Sequence, residues 1–199
     1  AMSIIERTPS GTFRATERWL ELVEQLSHIG GLGLLLIDPF SCFTALDLDK
    51  ESSVAAALSG ELARVATVLG CAVLGSHHMR KAEAETKQGK APELPNHGVV
   101  RAQIRGVAAL LNGVRMAYGI VPLPGRYARA VLDKLGERGE LDVGRVYWGA
   151  VVKANGKTDR RPRLYVRADY GLLEDRTADI APMGRIEDAL NRLLVRGEG

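Results

Sequence analysis

The chain has 199 residues, of which 46% are hydrophobic and 26% are charged, a balance typical of a soluble domain with one substantial core. A net charge of +3 is too small to indicate nucleic-acid binding by itself, and two cysteines, Cys42 and Cys71, exclude a disulfide framework. The longest apolar run, near residues 30–37, is too short to cross a bilayer, so we expect a cytoplasmic domain. Ala1 before Met2 is typical of a cloning tag, so we expect the reading frame to start at Met2.

The first half of the chain alternates helical patterns with short apolar runs. After an irregular start over residues 1–13, Thr16 is expected to cap a helix that carries Trp19 on its apolar stripe. The unbroken apolar run over residues 32–37 predicts a strand buried on both faces. A second helix is predicted over residues 53–69, with apolar residues at helical spacing.

The alternation continues beyond this second helix. Gly70 is expected to end the helix in the left-handed conformation, and residues 71–75 predict another short buried strand. Residues 80–97 are rich in Lys, Glu, Gln and Pro and have no apolar period, which is typical of a loop. A helix over about 101–111 and a strand over 114–121 follow. This order predicts an α/β fold with a mostly parallel sheet flanked by helices.

The last third of the chain predicts an antiparallel hairpin. A helix near 127–135 leads to an apolar strand over 145–153. Asn155-Gly156 is then the strongest hairpin signal in the sequence, and the returning strand is expected over 163–167. A helix is expected within the final segment, 176–199.

An acidic residue and a histidine follow the two predicted strands of the first half. Asp38 comes directly after the first strand and His77 comes just after the second. Because ligands of parallel sheets bind beyond the carboxyl ends of the strands, the two residues are expected to be neighbours. An acid that ends an apolar strand is the Walker B arrangement, in which the carboxylate holds Mg²⁺ on a nucleotide. An Asp before Pro39 also starts a turn, and the motif alone does not decide between the two.

The histidine pair has three interpretations. His77 is a candidate donor to a γ-phosphate or to the attacking water, or simply a hydrogen-bonded scaffold group. Two adjacent residues in an extended strand face opposite sides, so His77 and His78 are not expected to contact one ligand together. A metal-dependent hydrolase built from Asp38, both histidines and His97 is the third interpretation.

Three arginines are candidates for contact with transferring phosphate. Arg101 and Arg105 lie in the predicted helix, and Arg115 opens an apolar strand, where a charge is costly unless it is paired. The alternatives are a structural salt bridge and an arginine finger that reaches a neighbouring subunit's nucleotide.

Basic residues are concentrated around the predicted hairpin. Between residues 153 and 167 there is one acid, Asp159, and six basic residues, namely Lys153, Lys157, Arg160, Arg161, Arg163 and Arg167. They are typical either of a solvated turn with charged edge strands or of a surface that contacts phosphate.

Taken in order, several short motifs are similar to those of one family. They are Thr16-Glu17-Arg18-Trp19, Leu34-Leu35-Leu36-Ile37-Asp38-Pro39, Ser76-His77-His78-Met79-Arg80-Lys81, Ile104-Arg105-Gly106, Gly113-Val114-Arg115 and Val152-Lys153-Ala154-Asn155. Over residues 14–175 the chain resembles the RecA-like hexameric ATPase domain of RepA-type plasmid and phage replicative helicases. The resemblance implies a RecA-like core over 14–123, a helix and basic hairpin of the same domain over 124–175, and a C-terminal helix.

The resemblance also implies roles for individual residues at the nucleotide. Asp38 matches the Walker B aspartate, which holds Mg²⁺ with ATP. His77 and His78 match a histidine pair that contacts the nucleotide or couples it to a DNA-facing loop. Arg115 matches the arginine finger, with Arg105 beside it.

Further residues are implied to contact nucleotide or single-stranded DNA within a homo-oligomeric ring. Lys153 falls on a late strand at the subunit boundary and is a candidate nucleotide contact. Residues 82–96 match the flexible central loop of the family. The candidate nucleic-acid contacts are Lys81, Lys87, Lys90, Arg160 and Arg161.

The sequence departs from the family in one large respect, because G-x-x-x-x-G-K-S/T occurs nowhere in it. Gly156-Lys157-Thr158 does not supply the motif, since Val151 stands where its first glycine is required. We therefore expect a truncated or catalytically incomplete domain that lacks the P-loop strand, hydrolyses no ATP alone and self-associates through exposed strand edges. The alternative is a non-catalytic, oligomeric nucleic-acid-binding or regulatory module on the same fold.

Overall fold

The computed structural model describes residues 2–48, 51–78, 93–104, 108–137, 144–182 and 184–197. The chain divides into two compact units. The first comprises residues 1–80 and 104–115, and the second comprises residues 81–103 and 116–199. None of the described helices is long and apolar enough to cross a bilayer.

The described part of the chain is a mixture of helices and short strands. In chain order they are β1 (Ile5–Arg7), β2 (Phe13–Ala15), α1 (Glu17–Ser27), β3 (Leu34–Ile37), α2 (Ser52–Leu69), β4 (Ala72–Gly75), α3 (His97–Gln103), α4 (Ala108–Gly113), β5 (Met116–Pro122), α5 (Gly125–Leu135), β6 (Val146–Ala154), β7 (Arg163–Arg167), β8 (Leu173–Asp175), α6 (Thr177–Ile180) and α7 (Ile186–Gly197).

In the first unit, α1 begins and α2 ends where their sequences predict. The Thr16 side chain accepts a hydrogen bond from the Trp19 backbone N–H at 3.3 Å, which caps α1, and Trp19 is buried. Gly70 ends α2 with φ 62°, a left-handed conformation that favours glycine. The buried side of α2 includes Val54 and Leu58, which form the core of this unit with α1.

The sequence predicted an irregular start over residues 1–13, but the structure shows two short strands there. β1 and β2 pair antiparallel from Ile5 opposite Ala15 to Arg7 opposite Phe13. Ile4 and Ile5 are buried in the core of the first unit. The prediction was wrong because strands of three residues are too short to show an alternating pattern.

β3 and β4 form a two-stranded parallel sheet, with Leu34 opposite Ala72 and Ile37 opposite Gly75. Ile37 is buried, but Leu34, Leu36 and Leu74 are 52%, 60% and 54% exposed. The expectation of strands buried on both faces is therefore wrong in this structure. An apolar run indicates that both faces of a strand can be buried, but it does not indicate which other elements, if any, pack on them.

The second unit contains a four-stranded antiparallel sheet in the order β5-β6-β7-β8. β6 and β7 form the predicted antiparallel hairpin, but the eight residues 155–162 join them and neither Asn155 nor Gly156 has a positive φ, so the tight Asn-Gly turn expected from the sequence is not formed. The expectation of a mostly parallel sheet is wrong for the described residues, because β3 and β4 form their one parallel pair. The apolar run of β5 predicts a strand, but it carries no information on the direction of its partner.

One face of this antiparallel sheet is packed against helices of the same unit. A Cβ atom on Gly119 of β5 would overlap the Val100 side chain of α3. Trp148 of β6 is 1% exposed, and its ring meets the His97 ring edge to face at 5.5 Å. The single helix predicted over 101–111 is replaced by α3 and α4, which belong to different units.

Candidate functional site at the carboxyl edge of the parallel strands

The parallel register brings the ends of β3 and β4 together. Ile37 and Gly75 are opposite each other, so Asp38 and Ser76 are the first residues beyond the two strands. The Ser76 N–H donates to the Ile37 carbonyl at 2.9 Å, and the Phe40 N–H donates to the Ser76 carbonyl at 3.0 Å. These bonds extend the pairing past the strands and hold both chain segments at one edge of the sheet.

At this edge the Ser76 hydroxyl donates a hydrogen bond to the Asp38 carboxylate oxygen Oδ1. His77 follows Ser76 in the chain, so the parallel register places an acid, a hydroxyl and a histidine at the same edge of the sheet. The expected neighbourhood of Asp38 and His77 on parallel strands is thus present. The contact between Ser76 and Asp38 was not foreseen, although a hydroxyl residue at a strand end is a visible signal.

Phe40 packs against the end of β4 and positions this edge. Its side chain is buried, and a Cβ atom on Gly75 would overlap the Phe40 ring. The centroids of the Phe40 and His77 rings are 6.4 Å apart. Glycine at position 75 therefore allows the loop after β3 to lie against β4 beside His77.

The two histidines have different surroundings. Both ring nitrogens of His77 are buried, whereas His78 is exposed. This difference agrees with the argument that adjacent residues cannot both face one ligand. Among the described residues no group of three or more His, Cys, Asp or Glu side chains could hold a metal, so the hydrolase interpretation finds no support there.

The oxygens at this edge suit a magnesium ion better than a transition metal. Asp38 is exposed, and its carboxylate, which accepts the hydrogen bond of the Ser76 hydroxyl, supplies the hard oxygen ligand that Mg²⁺ prefers. Mg²⁺ keeps several water ligands and is bound through one or two carboxylates plus phosphate oxygens. The residues present therefore fit a magnesium nucleotide.

The candidate arginines are not gathered at this edge by any described contact. Arg115 is exposed and precedes β5, so it does not carry the buried charge that its sequence position suggested. Arg101 is exposed on α3 in the second unit. Arg105 lies outside the described residues, as do Lys81, Lys87 and Lys90.

The basic hairpin is partly neutralised by its own acid. The Arg161 guanidinium is 2.8 Å from the Asp159 carboxylate, and this side-chain bond, followed by the bond from the Arg161 N–H, lowers the pKa of Asp159 to about 2. Arg163 lies 3.6 Å from the same carboxylate. The Arg160 carbonyl contacts His97 Nε2 at 2.8 Å, which ties the hairpin to α3. Lys153 lies near the end of β6.

The segment that contains β3 and β4 is similar to a known protein family. A family model for AAA domains matches residues 2–84. The matched segment holds Asp38, Ser76 and His77 and covers less than half of the chain. AAA domains are ATPase-like nucleotide-binding domains, which in general bind ATP and Mg²⁺. A search of curated proteins finds no significant match to the chain.

Proposed function

We propose that the carboxyl edge of β3 and β4 binds a magnesium nucleoside triphosphate, within a RecA-like ATPase domain of the RepA-type replicative helicase kind. The observation that carries this proposal is the hydrogen bond that joins Asp38 and Ser76 beyond two parallel strands. It is supported by the match of the same segment to AAA domains.

In this proposal each residue of the edge has a separate task. Asp38 holds the metal, and the Ser76 hydroxyl fixes the orientation of the Asp38 carboxylate. Mg²⁺, when bound, neutralises charge on the phosphate oxygens. His77 and His78 follow β4 and are proposed to contact the nucleotide or to transmit its state. Lys153 of the second unit is a separate proposed nucleotide contact, at a boundary between subunits.

We further propose a homo-oligomer that acts on single-stranded DNA in the cytoplasm. Arg115 and Arg105 are proposed to reach the nucleotide of a neighbouring subunit. The proposed DNA contacts are Lys81, Lys87, Lys90, Arg160 and Arg161. Because the sequence contains no G-x-x-x-x-G-K-S/T, we propose that this chain by itself binds nucleotide without appreciable hydrolysis.

A second candidate function is a non-catalytic, oligomeric nucleic-acid-binding or regulatory module. The observation that favours it is the basic hairpin, on which Arg161 is 81% exposed. Under this proposal the chain binds single-stranded DNA but no magnesium nucleotide.

The nucleotide site is tested by titrating a fluorescent ATP analogue with and without Mg²⁺. We expect magnesium-dependent binding, and we expect Asp38→Asn to weaken it at least about tenfold, which corresponds to about 1.4 kcal/mol. Asp133→Asn is the matched control, because Asp133 is an exposed aspartate on α5. Equal binding by wild type and Asp38→Asn would contradict the site.

Hydrolysis is tested separately by phosphate release. We expect no magnesium-dependent turnover from the isolated chain. Turnover that Asp38→Asn abolishes would show that the chain is a complete ATPase and that the missing motif is not needed.

A further inference from the structure

The outward face of the antiparallel sheet carries a patch of aromatic and apolar side chains. Met116, Tyr118 and Ile120 of β5 are 57%, 40% and 39% exposed. The register places Tyr118 opposite Val151 and Tyr147 opposite Tyr165, which puts their side chains on this same face. The alternation of β5 explains the pattern, because Gly119 and Val121 between them are buried on the helix-covered face.

A glycine at the centre of this face holds two tyrosines together. A Cβ atom on Gly149 would lie 2.9 Å from both the Tyr118 and the Tyr165 rings, closer than carbon atoms normally approach. The two tyrosine hydroxyls are hydrogen-bonded at 2.7 Å. Gly149 therefore creates the space in which the rings lie against β6, and the hydroxyl bond restricts their rotation.

Positive charge borders this aromatic patch. Arg163 is opposite Gly149 in the register, and its side chain is 41% exposed. Its guanidinium lies 3.5 Å from the Asp175 carboxylate and 3.6 Å from the Asp159 carboxylate, so these two acids partly offset its positive charge. Arg160 and Arg161 lie in the connection between β6 and β7, beyond the ends of the strands that carry this face. The Arg160 carbonyl bonds His97 of α3 on the opposite face, whereas the Arg161 side chain is 81% exposed.

We propose that this face binds single-stranded nucleic acid, with unpaired bases stacked on Tyr118 and Tyr165 and phosphates held by Arg160, Arg161 and Arg163. Exposed aromatic rings next to a row of cations suit a polyanion whose bases are free to stack, because every base has a π face. In a duplex the bases stack on one another, so their faces are not available to a tyrosine ring. A purely protein partner would not require the basic border.

This inference rests on the single-stranded partner of the proposed function and shares Arg160 and Arg161 with it; the stacking residues Tyr118 and Tyr165 are its own. It also belongs to the second unit, whereas the nucleotide edge belongs to the first. Its test uses no nucleotide, so a negative result leaves the proposed nucleotide site standing. Single-strand binding that Tyr118→Leu leaves unchanged would contradict this face and leave the other proposed DNA contacts standing.

The test measures fluorescence anisotropy of labelled 20-nucleotide oligo(dT), oligo(rU) and a duplex with the full chain at low salt. We expect both single strands to bind more tightly than the duplex. Tyr118→Leu removes a stacking ring and should weaken single-strand binding about five- to a hundredfold. Tyr118→Phe keeps the ring and should stay within about twofold of wild type.

Two controls separate stacking from charge and from misfolding. Tyr170→Leu changes an exposed tyrosine in the turn before β8, outside the aromatic patch, and should leave binding unchanged. Arg160→Gln with Arg161→Gln should reduce the slope of log affinity against log salt by about 1.4 for single strands. Circular dichroism melting checks that each variant is folded.

Several results would overturn the proposal. They are the absence of single-strand binding at low salt, equal affinity for duplex, and unchanged affinity of Tyr118→Leu. A dimer that Tyr118→Leu converts to monomer, observed by sedimentation, would instead show that the face is an interface between copies of this chain. A preference for oligo(dT) or oligo(rU) decides which nucleic acid is the partner.

Discussion

At the scale of single residues, the contact between Ser76 and Asp38 is the most informative feature of the chain. A hydroxyl that donates to one carboxylate oxygen leaves the other oxygen available to a metal ion. Without this bond the carboxylate has more rotational freedom, and the entropy lost when a ligand orders it reduces the binding free energy.

We expect Ser76→Ala to weaken binding of the magnesium nucleotide analogue about three- to tenfold, the range for loss of one hydrogen bond. Ser76→Thr keeps the hydroxyl and should retain most of the affinity. The two variants are compared by the same fluorescence titration as the wild type. Identical affinities for Ala and Thr at this position would remove Ser76 from the site.

Tyr118 provides a residue-scale prediction for alkaline pH. Burial of the phenol, and then its hydrogen bond with Tyr165, raises the pKa of Tyr118 above its ordinary value. A raised pKa means that the folded state holds the proton more tightly. The resulting stabilisation is present below pH about 10 and is lost as pH rises further.

Urea unfolding between pH 9 and 11.5 measures this effect. The free energy of unfolding of wild type should fall more steeply with pH than that of Tyr118→Phe, which has no phenol to titrate. Parallel curves for the two proteins would show that the Tyr118 proton makes no difference to folding.

At the scale of helices and strands, glycines show where local pattern and packing lead to different outcomes. Gly75 of β4 and Gly60 of α2 are both in regular structure, where alanine has the better intrinsic propensity. At Gly75 an added Cβ overlaps the Phe40 ring, whereas nothing lies within 4 Å at Gly60.

We therefore expect opposite effects from the same substitution. Gly75→Ala should destabilise the protein by about 1–3 kcal/mol because the Phe40 ring must move. Gly60→Ala should stabilise it by about 0.5–1 kcal/mol because the exposed helical position gains alanine's propensity. Both changes are read from urea unfolding followed by circular dichroism, and equal signs would contradict the packing argument.

At the scale of the whole molecule, the parallel pair leaves an apolar face exposed on the first unit. Leu34, Leu36 and Leu74 lie on this face, while Ile37 of the same sheet is buried. An exposed sheet of two parallel strands is unusual, because such sheets normally have both faces covered. Self-association through this region remains a prediction from the sequence, and the exposed leucines give it a location.

Sedimentation velocity over a range of protein concentrations tests this association. We expect wild type to associate with increasing concentration and Leu36→Glu to remain monomeric, because a charge on the face opposes its burial. Leu20→Glu is the control, since Leu20 is an exposed leucine on α1. Association that Leu20→Glu disrupts and Leu36→Glu does not would place the interface elsewhere.

The sequence alone determined the features that depend on near neighbours along the chain. Thr16 and Gly70 specify a helix start and a helix end through local backbone geometry, and both are present. The lengths of the two apolar runs likewise predict that Asp38 and His77 come just after the strands. Their parallel alignment was correctly expected from the intervening helix.

Tertiary structure decided the features that depend on contacts distant in sequence. The antiparallel direction of β5, the exposed leucines of β3 and β4, and the hydrogen bond between Ser76 and Asp38 each require a partner that no local pattern specifies. The tyrosine pair across Gly149 arises from three strands at once. The periodicity of apolar residues and the capping of helices are encoded within a few neighbouring residues. The direction of a strand relative to its partner, and the side chains that it contacts, are set by the free energy of packing the whole core.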